Sequence, residues 1–162
     1  MQTLNNTWMV QSLEGKVPPP VVAIMAAAVM WGVANEQALL RYEISYKAFI
    51  CGALVGLAVL IDLAALRLFM TAKTTINPIS PDKATKLVTT GVYRYTRNPM
   101  YMANLIILLA WLIWLGSIYS VSGLILYVVY MNQFQIKPEE RVLLNLFEHE
   151  YSFFCSRVRR WI

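Results

Sequence analysis

The sequence predicts an all-α membrane protein with about four transmembrane helices, the last two forming a C-terminal helical hairpin, followed by a cytoplasmic amphipathic helix. Hydrophobic residues make up 58% of the 162 residues and charged residues 14%, whereas soluble domains average about 45–50% and about 25%. Apolar residues are concentrated in four stretches, and most basic residues lie outside them. This length is that of one domain, so we expect residues 1–162 to form a single unit.

The four apolar stretches cover residues 17–34, 46–70, 100–115 and 118–134. A transmembrane helix needs about 20 mostly apolar residues, which the second stretch clearly has. The third and fourth are short, but 100–131 is too long for one crossing, and Gly116-Ser117 near its midpoint has the composition of a turn. The first stretch lacks the basic leader and cleavage motif of a signal peptide, so we expect it to be retained.

The distribution of basic residues predicts the topology. Ten of the fourteen lie in the central polar segment 71–99 and in the C-terminal tail. The opposite side carries Arg41 and Lys47, which are offset by Glu36 and Glu43. Because cytoplasmic segments accumulate Lys and Arg, we expect the central segment and the tail to be cytoplasmic. The same rule explains the net charge of +5 without any nucleic-acid partner.

The tail from Pro138 onward has the pattern of an amphipathic helix. Proline suits the first turn of a helix, and Glu139 and Glu140 suit the positive end of its dipole. Apolar residues then recur at helical spacing, with charges between them: Val142, Leu143, Leu146 and Phe147. We expect this helix to lie on the membrane surface or to fold over residues 71–101.

The segment GVYRYTRNPMY, residues 91–101, has the composition of a polar site at a membrane surface. Tyrosines accumulate at membrane interfaces in any case, but this does not explain Arg97-Asn98-Pro99 at the start of an apolar stretch. Proline is tolerated in the first turn, and the free N–H groups that follow it can face an anion. Asn98 adds an amide donor and acceptor. The pattern is therefore consistent with a ligand site.

Three acidic residues are further candidates. Asp62 lies inside the second apolar stretch, where a carboxylate is costly; it is either functional or neutralised, in the second case by protonation or by Arg67. Glu139 and Glu140 either begin the tail helix, bind the hydroxyls of a ribose or favour a cationic ligand. With one histidine in the chain, a multi-histidine metal site is excluded, and we expect no metal.

Two sequence blocks carry a family resemblance. LVTTGVYRYTRNPMY, residues 87–101, has the pattern G-x-Y-x-x-x-R-H/N-P-x-Y and precedes the apolar hairpin. EERVLLNLFEHEYSFFCSRVRRWI, residues 139–162, is similar to a tail of the type E-E-x-x-L-x-x-x-F-G-x-x-Y. In combination they resemble the integral-membrane methyltransferases, the family of isoprenylcysteine carboxyl methyltransferases and phospholipid N-methyltransferases.

This resemblance implies S-adenosylmethionine as the cofactor, bound on the cytoplasmic side in a core of residues 71–162, after two N-terminal spans in residues 1–70. It implies methyl transfer to the O, N or S atom of a membrane lipid or another lipophilic or small acceptor. The implied cofactor contacts are Thr85, Lys86, Leu87, Val88, Tyr93, Asn98, Pro99, Met100, Tyr101 and Glu139. Two alternatives stay open, a nicotinamide-dependent membrane reductase related to sterol reductases and a non-catalytic membrane scaffold.

The chain departs from the family pattern at three positions. Asn98 stands where many relatives have histidine, which removes a titratable base. Glu148 replaces the glycine of the tail pattern, and we expect this to affect only a local detail of the helix. Gln135 stands where the prenylcysteine enzymes carry a substrate-binding arginine, and an amide cannot form a charge-assisted fork with a carboxylate. Gln135 is thus our substrate-binding candidate; the catalytic candidates are Asn98, Glu140 and His149. A four-span protein of this size is also a candidate homodimer.

Overall fold

The computed structural model describes residues 16–36, 42–73 and 85–162, and the regular elements within them are all helical. The α-helices of this part of the chain are α1 (Pro19–Glu36), α2 (Lys47–Ala72), α3 (Pro99–Leu115), α4 (Val121–Tyr130) and α5 (Lys137–Arg157). The prediction of an all-α fold is confirmed for these residues. Arg41 and Lys83, which contribute to the predicted topology, lie outside them.

Helices α1 and α2 are each long and apolar enough to cross a membrane. The 26 residues of α2 extend for about 39 Å at 1.5 Å per residue, more than the hydrocarbon thickness of about 30 Å. Large apolar side chains on its outer surface are exposed, among them Phe49, Leu60 and Met70. An apolar surface all around a helix is typical of a membrane span.

Helices α3 and α4 form the predicted hairpin, and Gly116 makes its turn. Gly116 ends α3 with a φ of 62°, and its carbonyl accepts the Tyr42 N–H at 2.8 Å. A Cβ atom at this position would lie 2.5 Å from the Tyr42 carbonyl oxygen, so both the dihedral and the close approach require glycine. With 17 residues in α3 and 10 in α4, the total of four spans stays a prediction.

The tail forms a helix where the sequence predicts one, since α5 begins at Lys137 with Pro138 in its first turn, but this helix does not start from a loop. Helix α4 passes through a π-helical turn, Met131–Ile136, directly into α5, and the backbone is right-handed helical at both junctions. A proline inside an α-helix lacks the N–H donor and crowds the carbonyl four residues before it. The wider π turn just before Pro138 relieves this conflict, so the helix continues. Glu139 and Glu140 therefore do not lie at a free helix N-terminus.

Helix α5 kinks at Glu148, where φ is 35° and ψ is −107°. Positive φ is unfavourable for residues with a Cβ atom and is readily adopted by glycine. The departure from the family pattern at Glu148 therefore affects more than a local detail, because it stands at a break in the helix. Beyond the kink, Tyr151 and Phe154 are buried in a cluster that includes Tyr93 and Ala65. The kink thus directs the end of α5 back onto α2 and the central segment.

Helix α3 lies at the centre of the molecule. Helix α2 packs along it, whereas α1 packs against α3 and α4. The Trp111 indole N–H donates to the Ala27 carbonyl at 3.1 Å and the Ser120 hydroxyl donates to the Met30 carbonyl at 3.0 Å, which fixes α1 in place. In the described residues α1 and α2 are not closely packed against each other. A crevice therefore remains between them, with α3 as its floor.

Candidate functional site

A cavity of about 450 Å³ lies where α2, α3 and α5 meet the loop 85–98. Ligand sites in proteins have volumes of about 300–1,000 Å³, so a small molecule fits. Most of the wall is apolar, and polar groups are gathered near the beginnings of α3 and α5. The polar lining residues are Asp62, Lys86, Arg97, Asn98, Tyr101, Asn104, Glu139 and Glu140, together with Tyr93 and Tyr151.

A 3-10 turn, Gly91–Arg94, brings Tyr93 to the cavity wall. Gly91 has a φ of 59° and lies close to Leu68 of α2, where a Cβ atom would come within 2.8 Å of a Leu68 methyl group. The Tyr93 ring packs edge-on against Phe69, with 5.6 Å between the ring centroids. Burial, reinforced by the negative charge of Glu139, raises the pKa of Tyr93. The hydroxyl therefore stays protonated at neutral pH and can donate a hydrogen bond to a ligand.

Glu139 and Tyr101 lie next to each other in the wall of the cavity. The Tyr101 hydroxyl donates to Oε2 of Glu139 at 2.9 Å. Burial raises the pKa of Glu139 to about 7; the Tyr101 hydrogen bond opposes this effect and the charge of Glu140 reinforces it. The Glu139 carboxyl therefore changes its protonation state near neutral pH, and its remaining oxygen is a strong acceptor once it is charged.

Glu140 joins two arginines in one network. Its Oε1 lies 2.9 Å from Nη2 of Arg97, and Arg160 donates to both carboxylate oxygens, at 2.9 and 2.6 Å. The hydrogen bonding by Glu140 is also the main cause of a raised pKa for Arg160. Nε of Arg97 is buried and has no hydrogen-bond partner among the described residues. Arg97 lines the cavity, and its Nε is a buried donor that no described residue satisfies.

The last residues of the chain, 158–162, form a strap across the loop that leads into α3. The Thr96 hydroxyl and the Asn98 amide both donate to the Arg160 carbonyl, at 2.8 and 2.9 Å. The backbone N–H of Arg97 donates to the Arg159 carbonyl at 2.9 Å. These bonds fix the backbone of residues 96–98 and so orient the Arg97 side chain toward Glu140.

Nine of the ten predicted cofactor contacts line this cavity: Lys86, Leu87, Val88, Tyr93, Asn98, Pro99, Met100, Tyr101 and Glu139. The tenth, Thr85, is exposed and its hydroxyl donates to the Lys73 carbonyl at 3.4 Å. Gln135 is buried behind the wall, where its side chain is hydrogen-bonded to Tyr101. Of the catalytic candidates, Asn98 and Glu140 lie at the cavity, whereas His149 is exposed and outside it.

Several residues in the cavity wall or in contact with it have no clear signal in the sequence. Asn104 lies one helical turn beyond Tyr101, a spacing that places both side chains on one face of α3. In the sequence Arg160 is one of several basic residues near the C-terminus, and its partner Glu140 is 20 positions away. Pro19 and Pro20 at the beginning of α1 also contribute. The order of residues in the chain carries no information about this last contact, which depends on how α1 packs.

Comparison with known proteins identifies the family. A family model described as phospholipid methyltransferase matches residues 46–150, more than half of the chain. The chain belongs to this family. The matched region extends from the beginning of α2 to the kinked part of α5 and so includes the polar end of the cavity.

One similar protein is an uncharacterised protein of Haemophilus influenzae. It is 44% identical over 63 residues, which are 39% of this chain and the whole of that protein. No solved structure matches the chain.

Membership of the phospholipid methyltransferase family, together with two long apolar helices, indicates a membrane-associated methyltransferase. It does not favour the nicotinamide-dependent reductase or the scaffold alternative. The residues of the first sequence block and Glu139 all fall inside the matched region, whereas the strap 158–162 lies beyond it.

Proposed function

We propose that this protein transfers a methyl group from S-adenosylmethionine to a lipophilic acceptor at the cytoplasmic face of a membrane. The observation that carries the proposal is the cavity in which Arg97, Tyr101 and Glu139 meet beneath an apolar wall. The family match supports methyl transfer as the reaction class. The combination of one polar end and one apolar end suits a polar donor and a hydrocarbon-bearing acceptor.

The residues present fit the cofactor. Its carboxylate would be held by Arg97, whose buried Nε has no partner among the described residues. Its ribose hydroxyls would be held by Glu139, as acidic residues do in dinucleotide sites. The apolar side chains of Leu87, Val88 and Met100 offer a surface for the adenine ring. When bound, the cofactor supplies a methyl group on a positively charged sulfonium, which is already an activated leaving group.

The task left to the protein is alignment and the exclusion of water. Positioning two reactants can supply about 7–11 kcal/mol of a reaction barrier, and the buried cavity wall limits competing hydrolysis. Glu140 is engaged by two arginines and holds the wall in place. His149 lies outside the cavity. These positions support a mechanism in which neither residue acts as the base.

The cytoplasmic orientation is also part of the proposal. Basic residues are gathered in the central segment and the tail, and two of them, Lys86 and Arg97, line the cavity. Cytoplasmic segments accumulate such residues. S-adenosylmethionine is polar and would enter from that side. A prenylcysteine carboxylate is disfavoured as acceptor, because Gln135 cannot form the charge-assisted fork of an arginine.

Isothermal titration of S-adenosylmethionine into detergent-purified protein tests the proposal. We expect saturable binding that is lost in Glu139→Ala and in Tyr101→Ala. Glu150→Ala is the matched control, because Glu150 is an exposed residue of the same helix outside the cavity.

Normal binding by both site variants would show that the cofactor lies elsewhere. Tight binding of NADPH without binding of S-adenosylmethionine would support the reductase, and binding of neither would support the scaffold. A radiolabelled methyl-transfer assay on a whole lipid extract, followed by product identification, then tests the acceptor class.

A further inference from the structure

The π turn between α4 and α5, Met131–Ile136, lies directly before the acidic residues of the candidate site. The Lys137 N–H donates to the Asn132 carbonyl, five residues earlier, which is the hydrogen bond of a π-helix. Single π turns inside α-helices often occur at functional sites. This turn carries three amide side chains, Asn132, Gln133 and Gln135, and each of them has a different environment.

Gln135 is the amide that reaches the candidate site. It is 2% exposed and does not line the cavity, so it acts on a ligand there only through another side chain. Its amide is hydrogen-bonded to the Tyr101 hydroxyl, which donates to Oε2 of Glu139 at 2.9 Å. Because a hydroxyl has one hydrogen and Tyr101 gives it to Glu139, Gln135 is the donor to the Tyr101 oxygen. The hydrogen bonds therefore run in one direction, from Gln135 through Tyr101 to Glu139.

A donor on the Tyr101 oxygen affects the bond to Glu139 in two ways. It fixes the rotation of the hydroxyl, so that its hydrogen points to Glu139. It also polarises the O–H group, and hydrogen bonds in such a chain strengthen one another by about 10–30%. Gln135 and Glu139 are four residues apart, a spacing that brings both side chains to the same side of a helix and so to the same hydroxyl. Gln135 thus stabilises the carboxylate form of Glu139 without contacting it.

Asn132 connects the π turn to the strap 158–162. Its Oδ1 accepts the indole N–H of Trp161 at 3.2 Å, and the Trp161 ring packs against the main hydrophobic cluster. The carbonyl of the preceding residue, Arg160, accepts the Asn98 amide at 2.9 Å. Asn132 therefore holds the strap in the position from which it binds the loop before α3.

Gln133 is the third amide of the turn and has no such role. It is exposed, and its Oε1 accepts a hydrogen bond from Nζ of Lys137 at 2.7 Å. It lies outside the cavity wall. Because Gln133 and Gln135 are the same residue type in the same turn, substitutions of Gln133 are matched controls for substitutions of Gln135.

We propose that the π turn is a positioning element of the candidate cofactor site, in which Gln135 directs the Tyr101 hydroxyl to Glu139 and Asn132 anchors the strap through Trp161. Neither amide lines the cavity, so both act through the side chains that they hold. Gln135 thereby has a different role from the substrate contact predicted from the sequence. This inference rests on the proposed function, in which Glu139 binds the cofactor.

The first test titrates the Glu139 carboxyl in the cofactor-free protein by infrared spectroscopy, and Glu139→Gln identifies its absorption band. Gln135→Met keeps the length of the side chain and removes the donor. We expect it to raise the titration midpoint of Glu139 by about 0.5–1 pH unit, because the carboxylate loses part of a hydrogen bond that stabilises its charge. Gln133→Met should leave the midpoint unchanged. An unchanged midpoint in Gln135→Met would overturn the proposal.

Tyr101→Phe shows whether the effect passes through the hydroxyl. In this background, the further change Gln135→Met should no longer move the Glu139 midpoint, as a double-mutant cycle requires of a coupled pair. An equal shift in both backgrounds would contradict the proposed chain of hydrogen bonds. The other titratable or charged side chains that line the cavity with Glu139 are the same in both backgrounds: Asp62 of α2, Lys86, Tyr93 and Arg97 of the central segment, and Glu140 and Tyr151 of α5.

The second test measures S-adenosylmethionine binding by calorimetry at several pH values. With a higher Glu139 midpoint, Gln135→Met should bind about 3- to 10-fold more weakly than wild type near pH 6, the factor that corresponds to a shift of about 0.5–1 pH unit. Near pH 8.5 the two affinities should agree within about twofold, because Glu139 is then charged in both proteins. A loss of equal size at every pH would assign Gln135 to packing alone and overturn its proposed role.

The third test concerns the anchor of the strap. Asn132→Leu removes the acceptor of the Trp161 N–H, and we expect cofactor affinity to fall about 3- to 10-fold, as for the loss of one neutral hydrogen bond. Asn132→Asp keeps an oxygen at this place and should bind within about twofold of wild type. Equal losses in the two variants would show that the hydrogen bond to Trp161 is not the anchor.

Failure of this inference is distinguishable from failure of the proposed function. If the wild-type protein does not bind S-adenosylmethionine, the proposed function and the role of the π turn in cofactor binding are both wrong. If wild type binds the cofactor and Glu139→Ala does not, but Gln135→Met leaves the Glu139 midpoint of the cofactor-free protein unchanged, the proposed function stands and the role of Gln135 is wrong.

Discussion

At the scale of single residues, Glu139 is the most sensitive group of the candidate site. Its carboxyl is buried beside Tyr101 and next to a second carboxylate, so its charged form is disfavoured. The sequence predicted that Glu139 contacts a ligand. It did not predict an unusual protonation equilibrium, because burial by α2, α3 and the central segment cannot be read from neighbours in the chain.

Glu139 should make cofactor affinity depend on pH. Its pKa of about 7 means that the carboxylate form, which accepts hydroxyl hydrogen bonds, dominates above neutral pH. If the ribose binds this form, affinity for S-adenosylmethionine should fall about tenfold per pH unit below about 7. Titration calorimetry from about pH 5.5 to about pH 8.5, which is about 1.5 pH units on either side of this pKa, measures the slope. Glu139→Gln should bind more weakly and without the slope.

The Glu139 carboxyl should have the opposite pH effect on the stability of the fold, which it favours at low pH. Because folding raises the pKa of Glu139 from an ordinary value of 4.5, its protonated form favours the folded state. Its contribution is fully present below about pH 4.5 and is lost as pH rises through about 7. Unfolding in mixed micelles should therefore become easier across this window in wild type. If the pH dependence of unfolding is the same in Glu139→Gln as in wild type, another titratable group is its cause.

Glu148 is a residue held in an unfavourable backbone conformation. Its φ of 35° lies where a Cβ atom is strained. Glu148→Gly should raise the free energy of unfolding by about 1 kcal/mol, since glycine adopts positive φ without that strain. Glu150→Gly is the matched control in the regular part of α5, where we expect a loss of about 0.5–1 kcal/mol. Equal destabilisation by both substitutions would show that the kink is not strained.

At the scale of elements, the turn of the α3–α4 hairpin can be predicted from the sequence, whereas the continuity of α4 with α5 cannot. The turn at Gly116-Ser117 is predictable because glycine interrupts an apolar run that is too long for one span. The continuation of α4 into α5 is not predictable, because a proline such as Pro138 usually indicates the start of a helix. The π turn that accommodates Pro138 has no marked sequence pattern. Here the packing of Met131, Gln135 and Ile136, which are all buried, decides the backbone.

The hairpin turn should be intolerant of a Cβ atom. Gly116→Ala would place this atom 2.5 Å from the Tyr42 carbonyl oxygen at a φ of 62°, so we expect a loss of about 2–4 kcal/mol in unfolding free energy. Gly56→Ala is the control, because outside the neighbouring residues and backbone of α2 itself no atom lies within 4 Å of the added carbon. It should be neutral or stabilising by up to about 1 kcal/mol. A Gly116→Ala protein as stable as Gly56→Ala would contradict the described turn.

At the scale of the whole molecule, the strap 158–162 connects the end of the chain to the loop before α3. Its carbonyl groups accept three hydrogen bonds from residues 96–98. At the same place Arg160 completes the network of Arg97 and Glu140. The shape of the candidate site therefore depends on a contact between distant parts of the chain.

Arg160 and Arg159 are neighbours with different roles, which makes them a matched pair. Arg160→Ala removes the donors to both oxygens of Glu140, so we expect cofactor affinity to fall about tenfold as Arg97 is drawn fully to Glu140. The stability loss should be small, about 1 kcal/mol, because the Arg160 side chain is 36% exposed. Arg159 is exposed and contributes only its backbone carbonyl to the loop. Arg159→Ala should therefore behave as wild type in the same calorimetric measurement, and an equal fall in both variants would exclude the network as the cause.

The sequence by itself determined the helical fold, the hairpin turn at Gly116 and the two blocks that indicate the family. These are properties of local composition, spacing and short motifs, which neighbouring residues carry together. Nine of the ten cofactor contacts that the family resemblance implies line the cavity, and their contact with a cofactor stays a prediction. Only the tertiary structure decided that Oδ1 of Asp62 has no hydrogen-bond partner among the described residues, that Glu140 is held by Arg97 and Arg160, and that Glu139 is half-buried beside Tyr101. These properties depend on which side chains distant helices bring together, and the packing of α1, α2 and α5 around α3 determines that.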